Sequence, residues 1–313
     1  MKGLELCENF FKEYGLPLIN GTFKEFSDRI AAGLVGHGSE CFGFDDDVSK
    51  DHDYEAGFCF YLTDEDEKEF GFKLFRAYSK LPKEYLGVKK AEASLFGDGN
   101  KGVKTIKDFY SFYIPNGELP KSNAEWLSIP DFYLAEATNG KVFYDKKGEF
   151  TRLRKAIIND VPTDVWLKKL SSSLFYMAQF GQYNYKRCLA HGEKAAAAYA
   201  LSNFAEHTAK AFFLINKKHS PYYKWLFRTM KELDGEAKNV SDKLEEILSS
   251  PYSEKTNFDL IEEICFILRK ELTISDLTKG ANIYGAGDYL EPYAYKVNEL
   301  IKDANLRNMP VML

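Results

Sequence analysis

Hydrophobic and polar positions follow two different patterns along the 313-residue chain. In the first half, short apolar or alternating runs at residues 30–35, 51–62 and 103–106 predict strands. Residues 4–14 predict an amphipathic helix, because their apolar side chains recur at helical spacing. The segment Gly15-Leu-Pro-Leu that follows is typical of a helix break. These patterns predict that the first half has an α+β fold.

Strand patterns end after Glu149, and the second half is predicted to be entirely helical. The predicted helices are Pro162–Phe180, Tyr183–Cys188, Glu193–Asn216, Pro221–Leu233, Val240–Ser249, Asn257–Glu271 and Pro292–Asp303. The change in pattern lies between Phe150 and Asp160, and a chain of this length suits two cores better than one. We therefore predict two domains, residues 1–155 and 156–313.

Composition and charge narrow the functional classes. The net charge is −5, so the chain lacks the broad basic surface of a protein that binds duplex nucleic acid, although a local cationic pocket for a nucleotide is compatible with it. The five cysteines are odd in number and lack zinc-type spacing, which favours a reduced intracellular protein. Residues 1–20 do not form a signal peptide, and no stretch is apolar enough to span a bilayer. We therefore expect a cytoplasmic protein without a membrane partner.

The stretch Gly36–Tyr54 carries the main candidate chemistry. Asp51 and Asp53 are two positions apart, and on a strand this spacing directs both carboxylates to one face. Paired carboxylates can hold Mg²⁺, which offsets the negative charge that develops in phosphoryl and nucleotidyl transfer. The sequence therefore predicts Asp51 and Asp53 as metal-binding and catalytic residues. His52 is expected on the opposite face, in a structural role.

About a dozen positions earlier, Gly38 and Ser39 are candidates for phosphate binding. A glycine lets the backbone approach a phosphate, and the serine hydroxyl together with a following helix start can hydrogen-bond its oxygens. Taken alone, a Gly-Ser pair is usually a plain turn and an Asp-x-Asp a solvated loop, so the prediction depends on their combination. Asp45, Asp46 and Asp47 are interpreted as solvated loop residues.

This combination resembles the signature of the nucleotidyltransferase superfamily, with its polymerase-β-like fold, and in particular the DUF4037 family of bacterial proteins. The family's Gly-Ser, Leu-Gly-Phe-Asp-Asp and Ser-x-Asp-His-Asp motifs are matched by Gly38-Ser39, Phe42-Gly43-Phe44-Asp45-Asp46 and Ser49-Lys50-Asp51-His52-Asp53. Further family motifs are matched by Trp126-Leu127-Ser128-Ile129-Pro130, Leu134-Ala135-Glu136, Gly140-Lys141-Val142-Phe143, Asp145-Lys146-Lys147-Gly148 and Pro221-Tyr222-Tyr223-Lys224-Trp225. The resemblance covers about residues 33–233.

The resemblance implies a nucleotidyltransferase-type mixed sheet with flanking helices, followed by a helical bundle similar to that of aminoglycoside-type nucleotidyltransferases. It also implies Mg²⁺-dependent transfer of NMP from an NTP to a hydroxyl of an unknown small-molecule or macromolecular acceptor. Members of the superfamily usually carry a third carboxylate on a neighbouring strand. Here Lys104 stands where that acid is expected, and Glu92, Glu136 and Asp145 are possible substitutes.

Candidate residues in the second half are fewer. Lys224 lies in a family motif and is predicted to bind nucleotide. Glu206 and Lys210 form an i,i+4 pair that is expected on the surface. His191 and His207 have no ligand partner at metal spacing and are interpreted as structural.

Two other functional hypotheses remain open at this point. The uncertain third carboxylate is compatible with a catalytically degenerate, nucleotide-binding regulator. The helical second half is compatible with a protein that binds a partner. Both would use the same fold.

Overall fold

The computed structural model describes residues 1–48, 54–89, 101–278 and 288–312. They form two compact units: unit 1 comprises Met1–Pro120 and Tyr133–Asp160, and unit 2 comprises Lys121–Phe132 and Val161–Leu313. In the described ranges, unit 1 contains both helices and strands, whereas unit 2 contains only helices. The fold is therefore α+β, as predicted. The domain boundary near residue 155 stays a prediction.

The described part of the first 160 residues contains both helices and strands. They are α1 (Gly3–Phe10), a π-helical turn (Phe11–Gly15), α2 (Leu16–Asn20), a 3₁₀ helix (Lys24–Arg29), β1 (Ala31–Leu34), α3 (Ser39–Phe42), β2 (Cys59–Leu62), α4 (Asp64–Asp66), a π-helical turn (Glu67–Gly71), α5 (Phe72–Tyr78), β3 (Glu84–Tyr85), β4 (Val88–Lys89), β5 (Gly102–Thr105), α6 (Ile106–Ser111), a 3₁₀ turn (Pro115–Gly117), α7 (Asn123–Ser128), α8 (Asp131–Thr138), β6 (Lys141–Asp145) and α9 (Glu149–Asn159).

The described residues that follow are helical. They form α10 (Thr163–Met177), a π-helical segment (Ala178–Tyr185), α11 (Lys186–Ala190), α12 (Lys194–Ile215), α13 (Tyr223–Met230), α14 (Ala237–Ser249), α15 (Glu254–Ile274), α16 (Glu291–Glu299) and α17 (Ala304–Asn308).

The main sheet of unit 1 is mixed, with strand order β5-β2-β1-β6. Strand β1 pairs antiparallel with β2 and β6, whereas β2 pairs parallel with β5. Every residue of β1 and β2 is buried, which explains why both read as continuous apolar runs rather than as alternating ones. Strand β2 begins only at Cys59, so it is shorter than the predicted strand at residues 51–62.

Helices cover both faces of this sheet. On one face Phe58, just before β2, packs edge-on against Phe11, with ring centroids 5.1 Å apart. On the other face Tyr61 stacks on Phe150 of α9 at 4.2 Å and contacts Phe109 of α6 at 5.2 Å. Aromatic pairs of this kind add about 1 kcal/mol each beyond the area they bury. They hold β2 in the middle of unit 1.

The predicted helix break at Gly15-Leu-Pro-Leu is wrong, because α1 continues through the π turn into α2. Pro17 lies in the first turn of α2, where a missing N–H is tolerated. A Cβ atom on Gly15 would lie 2.5 Å from the ring of Phe11 and 2.6 Å from that of Phe58. Gly15 is therefore required by close ring packing, and it does not mark the end of a helix.

Unit 2 is organised around α10 and α12, which pack against each other. Helix α10 also packs against α7, α16 and α17. Lys168 of α10 is fully buried, and its Nζ donates hydrogen bonds to Asn298 Oδ1 at 2.9 Å and to the Met309 carbonyl at 2.7 Å. Lys168 thereby attaches the C-terminal residues to the centre of the unit.

Within the described ranges, no helix combines the length and the apolar character that crossing a bilayer requires.

Candidate functional site

A tight turn at Gly36–Ser39 follows the first strand and contains the predicted phosphate-binding residues Gly38 and Ser39. Strand β1 ends at Leu34, and the chain then turns through Gly36 and Gly38, whose φ angles are 118° and 115°. Only glycine adopts such angles without strain. Helix α3 starts at Ser39, and no side chain caps its first turn. We refer to Gly36–Ser39 as the glycine turn.

Asn139 fixes the glycine turn to the loop before β6. Its side chain accepts a hydrogen bond from the Gly36 N–H at 2.9 Å and donates one to the Gly36 carbonyl at 2.6 Å. Arg154 of α9 in turn donates to the carbonyls of Asn139 at 2.5 Å and Gly140 at 3.3 Å. The backbone of the turn is therefore held by the Asn139 side chain, and the backbone of Asn139 is in turn held by Arg154.

Gly38 and Ser39 are half-buried. In the described part of the chain, the Ser39 hydroxyl makes no hydrogen bond, which leaves it able to donate to a ligand. The carboxylate of Glu40 lies beside Gly38, where its Oε2 would be 2.6 Å from an added Cβ atom. Any side chain at position 38 would therefore displace this carboxylate.

Glu136 of α8 is a carboxylic acid near this turn whose acidity is altered. Burial raises the pKa of its carboxyl from 4.5 to about 6. Its charge in turn contributes to the raised pKa values of Tyr113 and Cys41, which are shifted mainly by burial. Tyr113 also interacts with the backbone of His37, inside the turn. Glu136 therefore lies in the same neighbourhood as the glycine turn.

Of the two other candidates for a third carboxylate, the structure describes Asp145. Asp145 accepts hydrogen bonds from the backbone N–H groups of Gly148 and Thr151 at 2.9 and 2.8 Å. It pairs with Ala31 at the opposite end of β1 from the glycine turn. Asp145 thus stabilises the start of α9 and does not face the turn. Glu92 lies outside the described residues.

Lys104 occupies β5 in the position expected from the sequence. It lies opposite Tyr61 of β2 in the parallel pair. The strand that neighbours β2 therefore carries a cation at this position.

Asp51, Asp53 and His52 also lie outside the described residues, so their predicted roles stay predictions. Among the residues that the structure does describe, no three His, Cys, Asp or Glu side chains form a group that could hold a metal ion. The prediction that Asp45 is a solvated loop residue is wrong, because this residue is buried. Its Oδ2 accepts a hydrogen bond from the Gly3 N–H at 2.7 Å, which stabilises the start of α1.

A second candidate site is a cavity of about 700 Å³ in unit 2. Its lining comes from residues 127–132, α10, α12 and residues 220–226, and we call it the α10–α12 cavity. On α10, the lining residues Lys169, Ser172, Ser173 and Tyr176 recur at helical spacing. This polar stripe on a mostly buried helix is the signal in the sequence that could have revealed the cavity.

Of the residues singled out from the sequence of the second half, three line the α10–α12 cavity and Lys224 does not. Glu206 and Lys210 form the expected ion pair at 2.6 Å, and both line the α10–α12 cavity. His207, interpreted as structural, lines it too. Lys224 is exposed, with its Nζ 4.9 Å from the centre of the Trp225 ring, and it is not among the cavity-lining residues.

Comparison with known protein families finds a match for part of the chain. Residues 126–226 match DUF4037, a domain of unknown function. No curated protein matches the chain. This match supports the resemblance to DUF4037, and it contains every residue that lines the α10–α12 cavity. It also contains Asn139 and Glu136, whereas Gly38 and Ser39 precede it.

Proposed function

We propose that the protein is a Mg²⁺-dependent nucleotidyltransferase that transfers NMP from an NTP to a hydroxyl group of an acceptor. The observation that carries the proposal is the glycine turn, in which backbone at positive φ and a Ser39 hydroxyl that no other described residue engages follow the central strand β1. This arrangement suits close approach of a phosphate to the chain. The sequence adds Asp51 and Asp53 on the way into β2.

In this proposal Asp51 and Asp53 hold the metal ion. Their carboxylate oxygens are the hard donors that Mg²⁺ prefers. The bound ion supplies charge compensation for the phosphate oxygens during transfer. Such compensation is needed at this turn, because Glu40 already places a carboxylate beside Gly38.

Gly38 and Ser39 position the triphosphate. The absence of a side chain at Gly38 permits close backbone approach, and the Ser39 hydroxyl donates a hydrogen bond to a phosphate oxygen. Asn139 keeps the turn in this conformation through its two hydrogen bonds to Gly36. The turn is thus ordered before the nucleotide binds, which lowers the entropic cost of binding.

Glu136 acts as the base in this scheme. The acceptor oxygen attacks the α-phosphorus, the bond to pyrophosphate breaks, and the hydroxyl proton passes to the Glu136 carboxylate. A pKa of about 6 suits a base that works near neutral pH. Glu136 then replaces the acid that is expected where Lys104 lies.

The experiment is calorimetric titration with a nonhydrolysable ATP analogue and with GTP, each with and without Mg²⁺. Mg²⁺-dependent binding is expected for the wild type, and its loss is expected for the Asp51→Asn/Asp53→Asn double variant. Asp47→Asn, a change of an exposed aspartate four residues before Asp51 in the sequence, is the matched control and should bind normally. Unchanged binding by the double variant would show that the metal site is elsewhere.

Lys104 supports one second candidate function, a nucleotide-binding regulator without catalysis. A cation on the strand beside β2 could offset phosphate charge in place of a third carboxylate. Tight NTP binding without release of pyrophosphate, over a broad panel of acceptors, would favour this alternative.

A further inference from the structure

We propose that the α10–α12 cavity binds an uncharged, hydroxylated ring, the chemistry of a neutral sugar unit. The site lies wholly among residues of unit 2. It is additional to the proposed nucleotide site, and its existence does not depend on nucleotide transfer.

Two buried serines of the cavity wall have unpaired hydroxyl groups. Ser173 and Ser220 are 4% and 2% exposed, and neither hydroxyl has a hydrogen-bond partner among the described residues. Ser171, on the same helix as Ser173, shows the usual alternative, since its hydroxyl donates to the Lys168 carbonyl at 2.9 Å. Because both serines line the cavity and neither hydroxyl is engaged by another described residue, both hydroxyls are available to hydrogen-bond a ligand bound there.

His207 contributes a third unpaired polar group. Its Nδ1 is buried without a hydrogen-bond partner in the described part of the chain, and its ring stacks on Tyr176 with the centroids 4.6 Å apart. Burial, assisted by the charge of Lys210, lowers the pKa of His207 to about 4, so the ring is neutral at physiological pH. A neutral imidazole and two serine hydroxyls together offer both donors and acceptors. Ligand hydroxyl groups, which both donate and accept, match this mixture.

The charged residues of the wall cancel in pairs. Lys169 forms an ion pair with Asp131 at 2.6 Å, and Lys210 forms one with Glu206 at the same distance. The cavity wall therefore has no excess of positive charge for a phosphate and no excess of negative charge for a polycation. A ligand without net charge avoids placing an unpaired charge beside these ion pairs.

Aromatic rings give the cavity apolar faces for a ring-shaped ligand. Tyr222 lies 5.8 Å from Phe132 and 4.4 Å from Tyr223, centroid to centroid. Tyr222 and Tyr223 remain 44% and 69% exposed, so part of each ring surface is accessible. The C–H faces of a sugar ring can pack on such surfaces. The cavity volume of about 700 Å³ falls within the range of small-molecule sites, about 300–1,000 Å³.

The test is saturation-transfer NMR on the intact protein with glucose, N-acetylglucosamine, maltose and myo-inositol as neutral probes. Glucose 6-phosphate and glucosamine are the charged probes, and adenosine represents an aromatic base. We expect at least one neutral sugar or polyol to bind more tightly than every charged probe. Ser173→Ala and Ser220→Ala should each weaken that binding by about tenfold, the value of one lost hydrogen bond.

Ser171→Ala is the matched control, because it removes a buried serine hydroxyl of α10 that does not line the cavity. It should leave the affinity unchanged. The proposal is overturned if no neutral probe binds, or if Ser173→Ala and Ser220→Ala bind as tightly as the wild type. Stronger binding of adenosine than of every sugar would overturn it in favour of a nucleoside site.

Discussion

The glycine turn of unit 1 and the α10–α12 cavity of unit 2 present polar groups in opposite ways. At the glycine turn the main chain shapes the site, because Gly36 and Gly38 hold a backbone conformation that other residues avoid. At the cavity, side chains project from two regular helices, and the backbone is ordinary. A site built on backbone conformation depends on where side chains are absent, whereas the cavity depends on which polar atoms lack partners.

The same contrast explains why a short motif identifies only the glycine turn. Gly38 and Ser39 are adjacent in sequence, so their pattern is visible without a structure. Ser173 and Ser220 are separated by α11 and α12, and only packing brings them to one cavity. Sequence patterns therefore favour local backbone sites over sites assembled from distant side chains.

The largest expected effect comes from adding a methyl group near the glycine turn. Gly140 has φ 60°, and a Cβ atom there would lie 2.1 Å from the Leu34 carbonyl oxygen. We expect Gly140→Ala to lower the free energy of unfolding by about 4 kcal/mol, since β1 and the Asn139 loop must move apart. Urea denaturation followed by circular dichroism measures this change.

Gly148→Ala provides the matched control for this prediction. Gly148 also has a positive φ, 73°, but no atom lies within 4 Å of its added Cβ. The control should cost only about 1 kcal/mol, the price of the backbone conformation. Equal effects of the two substitutions would mean that close approach of the strands is not the reason for Gly140.

The second prediction concerns acid stability and the cavity. The pKa of His207 is lowered from 6.5 to about 4 by burial and by Lys210. Protonation therefore favours the unfolded chain, and stability present above pH 6.5 should be lost as the pH falls toward 4. The loss attributable to His207 is at most about 3 kcal/mol, and less if solvent reaches part of the ring.

His207→Gln should remove this part of the acid dependence, as measured by urea denaturation at a series of pH values. His191→Gln changes an exposed histidine and should retain the wild-type dependence. An acid dependence that is the same in the wild type and in His207→Gln would contradict the neutral, buried state of this ring.

The third prediction concerns Glu136, where burial acts in the opposite direction on the pKa. The folded pKa is raised from 4.5 to about 6, so the charged carboxylate is disfavoured in the folded chain. The wild type should therefore lose stability as the pH rises through this interval, by less than the full value of about 2 kcal/mol because solvent screens a carboxyl that is only half-buried. Glu136→Gln should be more stable than the wild type above pH 6 and equal to it below about pH 4.5.

Measurements of turnover test whether Glu136 acts as a base, which its burial alone does not require. If Glu136 accepts the acceptor proton, Glu136→Gln should lose turnover while keeping nucleotide affinity, although the variant is more stable. The wild-type rate should also fall as the pH drops below about 6. Full turnover in Glu136→Gln would remove Glu136 from the proposed mechanism.

Much of the secondary structure could be predicted from periodicity and turn residues. Strand β1, strand β5 and the long helix α12 all lie where the patterns place them. Physical reasons account for the failures. The glycine at position 15 reflects ring packing with Phe58, which is distant in sequence, and a local pattern contains no such information.

The small hairpin of β3 and β4 gave no recognisable turn signal. Its two central residues, Leu86 and Gly87, have φ angles of 50° and 79°. A turn with two positive φ angles normally contains asparagine, aspartate or glycine at the first position. A leucine there hides the hairpin from sequence analysis, although its strands still pair in the usual antiparallel manner.

The smallest expected effect compares two serines of α10 and distinguishes a ligand site from an ordinary core. Ser171→Ala removes a hydroxyl that has a partner and should cost about 1 kcal/mol. Ser173→Ala removes a cavity-lining hydroxyl that has none among the described residues, so the ligand-free protein should be equally stable or slightly more stable. Thermal denaturation without added sugar measures both. If Ser173→Ala were as destabilising as Ser171→Ala, the Ser173 hydroxyl would already be satisfied within the protein and would not be available to a ligand.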